Sequence, residues 1–203
     1  MTNKPKILAF AGALRKDSLN KKMIKIAAKG AEEAGAIVTY IDLKDYPLPI
    51  YDQDIEDATG IPDNAMKLKN LFLENDGFLI ACPEYNSSVT AVLKNVIDWV
   101  SRPAPGETAY LCCFIGKVVL LMSASPGNLG GIRGLVHVKS IFGNINSIVL
   151  PNQKCIPNAD KVFDTMGKIN DPKIEKDVLG LGNELAEFLK KLKSGSSDLN
   201  YVG

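Results

Sequence analysis

A doubly wound α/β sandwich, in which helices cover both faces of a parallel sheet, is the fold this sequence predicts. Two observations carry the prediction. Five short apolar runs alternate with stretches of helical period, and the spacing between runs suits parallel crossovers. The runs are apolar almost throughout, as strands buried on both faces must be.

Residues 6–12 (KILAFAG) are the first run, and Met23, Ile26, Ala27, Ala31 and Ala34 supply the apolar stripe of the helix that follows. Residues 36–43 (AIVTYIDL) come after Gly35 and are rich in β-branched residues, which makes them the second strand. Residues 51–62 (YDQDIEDATGIP) read as an acidic surface loop, and residues 64–73 as a helix leading into a third strand, 77–82 (GFLIAC). Val89, Val92, Leu93, Val96, Ile97 and Val100 mark the face of the next helix. Residues 117–124 (KVVLLMSA) form the fourth strand, Ile132, Leu135, Val136 and Phe142 lie on a further helix, and residues 146–150 (NSIVL) are the fifth strand. A last helix begins near Asp171 and carries Ile174, Val178, Leu181, Leu185 and Phe188 on one side. Five strands suit the flavodoxin-like order 2-1-3-4-5 better than a six-stranded dinucleotide fold. Residues 1–193 are expected to form a single domain, and residues 194–203 (SGSSDLNYVG) a flexible tail.

The chain has 24 basic and 23 acidic residues mixed along its length, a formal net charge of +1. That balance gives no electrostatic footprint for nucleic acid or an anionic membrane, so the expected partners are small molecules and other protein subunits. The polar residues 1–6 and the short apolar run after them do not make a signal peptide, and no stretch is long enough to span a bilayer. Four cysteines without a Cys-x-x-Cys pair, beside a single histidine, point away from zinc and toward free thiols in a cytoplasmic protein.

A ligand of an open parallel sheet sits beyond the carboxyl ends of the strands, where the strand order reverses. Three loops leave such ends. In the first, residues 12–20 (GALRKDSLN), the last residues meet a helix N-terminus, whose unpaired N–H groups and dipole suit a phosphate. Leu14 sits within this loop, Arg15 can pair with phosphate oxygens, and Ser18 and Asn20 can donate from hydroxyl and amide; Ser18 is equally placed to be an N-cap. The loop lacks the glycine spacing of a dinucleotide fingerprint or a P-loop, so the ligand is expected to be a mononucleotide. In the second loop, Pro83 sets a sharp exit from the sheet, Tyr85 offers a flat face to a ring system, and the amides of Glu84, Asn86 and Ser87 can read ring carbonyls and nitrogens. Ser87 or Ser88 is placed to cap the helix beyond. The third, residues 123–131 (SASPGNLGG), brings Ser123, Ser125 and Gly127 to the same edge.

Residues 83–102 (PEYNSSVTAVLKNVIDWVSR) are similar to the Pro-Glu-Tyr-Asn loop and Leu-Lys-Asn-x-Ile-Asp-Trp helix of the NADPH-dependent FMN reductase family. Residues 11–20 (AGALRKDSLN) resemble that family's phosphate loop, with Ala13 in place of a common serine. Val89, Thr90 and Ala91 stand where many members have proline and glycine, which implies a bulkier helix entrance. The resemblance implies FMN as cofactor, NADPH or NADH as donor, and a quinone, free flavin, azo compound or oxidised metal ion as acceptor. Arg15, Ser18 and Asn20 match its phosphate positions, Pro83 to Asn86 its ring positions, and Ser123 and Ser125 its third segment. It also implies a homodimer or homotetramer. The flavin would carry the chemistry, which leaves no catalytic role for His137 or the cysteines. Asp98, Trp99 and Arg102 are expected to support packing or a subunit contact, Trp99 especially the latter. The rival reading is a flavodoxin-like electron carrier with no turnover of its own, though such carriers are usually strongly acidic.

Overall fold

The computed structural model describes residues 4–104, 106–107 and 110–195. Strand β1 (Lys6–Ala11) leads through helix α1 (Leu19–Glu33) to β2 (Ile37–Tyr40). Helices α2 (Gln53–Thr59) and α3 (Asp63–Glu74) precede β3 (Gly77–Ala81), and α4 (Ala91–Val100) precedes β4 (Val118–Ala124). Helix α5 (Ile132–Asn144), strands β5 (Ile148–Val149) and β6 (Lys154–Ile156), and helices α6 (Ala159–Val162) and α7 (Pro172–Gly195) complete the chain. The sheet is parallel in the order β2-β1-β3-β4-β5, with β6 also paired to β4. This is the flavodoxin-like order that the five runs predict.

Alternation along the strands divides the interior in two. Ile7, Ala9, Ala11, Leu79, Ala81, Leu120 and Met122 face one way, into a cluster with α1 and α7. Leu8, Phe10, Phe78, Ile80 and Leu121 face the other way, against α3, α4 and α5. On the first side, small residues line the meeting of α1 and α7. A Cβ on Gly182 of α7 would overlap Ala27 O, and one on Gly30 of α1 would overlap Leu179 O, so the two helices touch backbone to backbone. The second side is aromatic: Phe72 packs against Phe78, Phe114 and Phe10 at ring separations of 4.7, 5.5 and 5.7 Å.

Several expectations are corrected. The fifth strand position is shared by two segments, with Ile148 and Val149 pairing Val118 and Val119, and Lys154, Cys155 and Ile156 pairing Met122, Ser123 and Ala124. Pro151 falls in the break, where a residue without an N–H cannot continue a ladder. The acidic segment 51–62 holds helix α2, which buries none of its residues and is started by the Asp52 carboxylate accepting from Asp54 N. Trp99 is fully buried within the chain: its Nε1 donates to Pro49 O at 2.8 Å, and Tyr51 meets its ring edge-on. Thr90, rather than Ser87 or Ser88, caps α4, accepting from Leu93 N while donating to Gly12 O. Of the expected tail, Ser194 and Gly195 end α7, and the rest lies outside the described residues.

Candidate active site

The carboxyl ends of β1, β3 and β4 lie side by side, in register Ala11 to Ala81 to Met122. The loops leaving them frame a cavity of about 330 Å³. Of the residues singled out from the sequence, Arg15, Ser18, Asn20, Pro83, Glu84, Tyr85 and Ser125 line it, together with Ala13, Leu19, Ala124 and Pro126. Leu14 is half exposed and lines a separate apolar cavity with Leu43, Pro47, Leu48, Val92 and Val96. Asn86, Ser87, Ser123 and Gly127 do not line the 330 Å³ space.

The lining divides into groups that face the cavity and groups that hold its walls. Ser18 stands at the N-cap position of α1 in extended conformation, yet its side chain makes no capping bond. Its hydroxyl is therefore available at a helix N-terminus, where backbone N–H groups and the dipole attract an anion. The Arg15 guanidinium bonds Asp17 O at 3.0 Å through one nitrogen and keeps further donors of its fork.

Asn20 serves differently. Its Nδ2 donates to Ala124 O at 2.8 Å and its Oδ1 accepts from Ala124 N at 3.0 Å, so the amide clamps the first loop to the end of β4. Ser123 is wholly buried and donates to Cys82 O at 2.7 Å, tying β4 to the end of β3. Gly131 presses on that bond: it has a φ of 88°, and a Cβ there would overlap the Ser123 hydroxyl. Ser125 accepts from Gly127 N at 3.1 Å, a local turn that shapes the third loop.

Residues 85–88 form a two-residue hairpin in which Tyr85 and Ser88 exchange backbone hydrogen bonds of 3.1 and 3.0 Å. Asn86 and Ser87 both have positive φ, 50° and 67°, as the tight turns matched to strand twist require. The Asn86 and Ser87 amides take no part in that pairing, and the Tyr85 ring stands 59 % exposed beside the cavity. Two tethers hold the hairpin to α5. The Glu84 carboxylate accepts from Gly134 N at 2.9 Å and from Arg133 at 3.0 Å. Burial opposes the charged form of Glu84, but the Gly134 N–H and the Arg133 guanidinium outweigh it and hold its pKa below the ordinary carboxylate range. The second tether is a 2.8 Å hydrogen bond between Ser88 Oγ and His137 Nδ1. His137, which reads from the sequence as a surface or packing residue far along the chain from the three loops, thus meets the second loop because α5 packs beside the hairpin. Cys82 lies under the site, fully buried, and burial drives its thiol pKa upward, so it remains an inert thiol.

The residues fit a flavin mononucleotide. Free donors at a helix N-terminus suit its phosphate, the exposed Tyr85 and the hairpin amides suit its ring, and the three loops are fixed to one another before any ligand enters. Fold and site together define a flavodoxin-like oxidoreductase of the mononucleotide class. The chain belongs to the NADPH-dependent FMN reductase family, whose model matches residues 5–161, so FMN and a reduced nicotinamide are the cofactor and donor of its class. It is 31 % identical over 193 residues to a probable NADPH:quinone oxidoreductase of rice (Oryza sativa subsp. japonica), covering 93 % of this chain and 90 % of that protein. It is also 31 % identical to an NAD(P)H-dependent FMN reductase of Pseudomonas aeruginosa, over 95 % of this chain and all of that one. Among solved structures, the flavoenzyme NAD(P)H:acceptor oxidoreductase FerB of Paracoccus denitrificans superposes with a TM-score of 0.72 at 26 % identity, covering 92 % of this chain and 98 % of that one.

Proposed function

We propose that this chain is an FMN-dependent NAD(P)H oxidoreductase whose acceptor is a small, two-electron-reducible molecule, with quinones the first class to test. The observation that carries the reading is the single cavity where an uncommitted Ser18 hydroxyl and Arg15 fork meet, across a laced rim, the exposed Tyr85 hairpin. FMN, when bound, would supply the redox chemistry, a two-electron relay between nicotinamide and acceptor. Arg15, Ser18 and the amides at the start of α1 hold the phosphate, while Pro83, Tyr85 and the amides of Asn86 and Ser87 hold one side of the ring. Ser125 and Gly127 shape the opposite wall. Asn20, Ser123, Glu84 and Thr90 position these groups by fixing loop to loop. Leu14, away from the main cavity, contributes an apolar flank.

In this reading the cycle is ping-pong, with nicotinamide and acceptor using the side beside exposed Tyr85 in turn. The names of the rice and Pseudomonas relatives support quinone and flavin acceptors. Four free cysteines support a working place in the cytoplasm. Exposed Tyr85, Leu129, Ile132 and Val136 around the site mouth support assembly into a homodimer or homotetramer. The direct test is to load the protein with FMN, exclude oxygen and add NADPH or NADH. Bleaching of the flavin, reversed by a quinone, is the expected result; a flavin that neither donor bleaches assigns the chain to electron carriage instead.

A further inference from the structure

Outside the candidate active site, the largest cavity described is a groove of about 890 Å³ along the outer side of α1. Ser18 lines both this groove and the active-site cavity. Its charge is unlike that of the rest of the chain. Six lysines, at positions 16, 21, 22, 25, 29 and 168, face three carboxylates, those of Asp17, Asp42 and Glu175, whereas the whole chain is balanced at 24 basic to 23 acidic residues. A concave wall with a positive excess, even with Lys21 paired to Asp42, concentrates its field on an anion.

The groove is also built rather than loosely hung with side chains. Residues 163–169 fold into a hairpin closed by the Phe163–Ile169 bridge, and at Gly167, whose φ is 85°, an added Cβ would come into contact with the Lys22 stem. Lys22 Nζ donates to Asp164 O at 2.9 Å and keeps two further donors. Lys25 lies over the ring of Tyr40, 5.4 Å from its centroid. Asp42, just past the end of β2, is held by Lys21 at 2.6 Å. In strand–helix–strand units that bind dinucleotides, phosphate sits at the first helix N-terminus and an acidic residue after the second strand takes the adenosine ribose. Ser18 and Asp42 occupy those two places here, and Asp42, whose Oδ2 accepts from Lys21 and whose Oδ1 accepts from Lys44 N, retains further acceptor lone pairs, as the Lys22 ammonium retains donors.

We propose that this lysine groove is a subsite for an adenosine phosphate, with the ribose toward Asp42 and the phosphates between Lys22, Lys25 and the Ser18 end of the groove. The inference rests on the flavin reading only for the route by which the ligand arrives. Two cofactors carry the same chemistry: FAD, whose adenylate extends directly from the flavin phosphate, and NADPH, whose adenosine bears a 2′-phosphate.

The test begins with calorimetric titration of the FMN-loaded protein with 2′,5′-ADP, which cannot exchange hydride. Saturable one-to-one binding is expected, weakened about tenfold or more by the double substitution Lys22→Glu with Lys25→Glu, and less by Lys22→Gln with Lys25→Gln. Unchanged circular dichroism and FMN content establish that the variants are folded. Two further arms identify the source. If it is the flavin, apoprotein binds FAD more tightly than FMN and the variants lose that advantage. If it is the donor, FAD and FMN bind alike, and the variants raise the KM for NADPH at constant kcat. Absence of saturable 2′,5′-ADP binding, binding indifferent to both double variants, or no change in either arm overturns the proposal. A protein that holds FMN and bleaches with NADPH yet ignores 2′,5′-ADP loses the groove alone; one that never holds FMN loses the flavin reading, and the same titration on it still tests the groove.

Discussion

The two faces of the sheet are packed by opposite means, and each carries one end of the candidate site. On the α1–α7 face, glycine and alanine bring helix backbones into contact, and the N-terminus of α1 delivers Ser18 and Arg15. On the other face, phenylalanines fill a wider space beneath α3, α4 and α5, and α5 holds the ring-side hairpin through Gly134 and His137. Close backbone contact leaves almost no room for adjustment, whereas a cluster of large rings can lose volume and partly collapse. The phosphate end should therefore report faults in its own face far more sharply than the ring end does.

Phe72→Ala removes the ring that touches three other phenylalanines and should cost about 3–5 kcal/mol in urea-monitored unfolding. Molecules that remain folded should still bind FMN near wild-type strength; a parallel loss of affinity would break the contrast between the faces. Gly182→Ala should cost about 3 kcal/mol by forcing α7 away from α1, and here FMN affinity should fall as well, because α1 carries the phosphate loop. Fluorescence titration with FMN checks both variants.

Arg15→Ala leaves packing untouched, since the side chain is exposed, and should weaken FMN about tenfold to a hundredfold with unfolding unchanged. Affinity equal to wild type would remove Arg15 from the phosphate site.

Acid should act on the ring end. The folded pKa of Glu84 is lowered, so its stabilising tether is complete above the ordinary glutamate value of about 4.3 and is lost as pH falls through the lower folded value. Hydrogen exchange at Gly134 N–H should quicken in that window, and Glu84→Gln should abolish the pH step. The smallest effect belongs to Ser87→Gly, which relieves a left-handed non-glycine residue and should stabilise the protein by about 1 kcal/mol at most. A loss of stability would show that the Ser87 side chain has a partner of its own.

The strands and the three loops were legible because their signals are local: apolar runs, helical period, glycine at strand ends; the strand order followed only from matching five strands to a known fold, since alternation does not carry it. Helix α2 was not, because it buries no residue and so has no apolar stripe to read; the Asp52 cap and the Glu56–Arg102 pair hold it instead. The second half of the edge strand was hidden by Pro151. Trp99 suggested a surface contact from its chemistry alone, but the segment around Pro49 and Tyr51, nearly fifty residues earlier, folds over it.

By itself, the sequence determined the fold class, the family and the chain segments that meet at the site, since period and motif are properties of neighbouring residues. Only the tertiary structure decided which polar groups remain free for a ligand. Ser18, Asn20, Ser123 and Glu84 are equally apt donors or acceptors on paper. Asn20 is spent on Ala124, Ser123 on Cys82 and Glu84 on α5, while the Ser18 side chain makes no cap, and those commitments span 41 to 104 residues of chain. A hydrogen-bonding group is available to a ligand only when nothing brought near by folding has already claimed it.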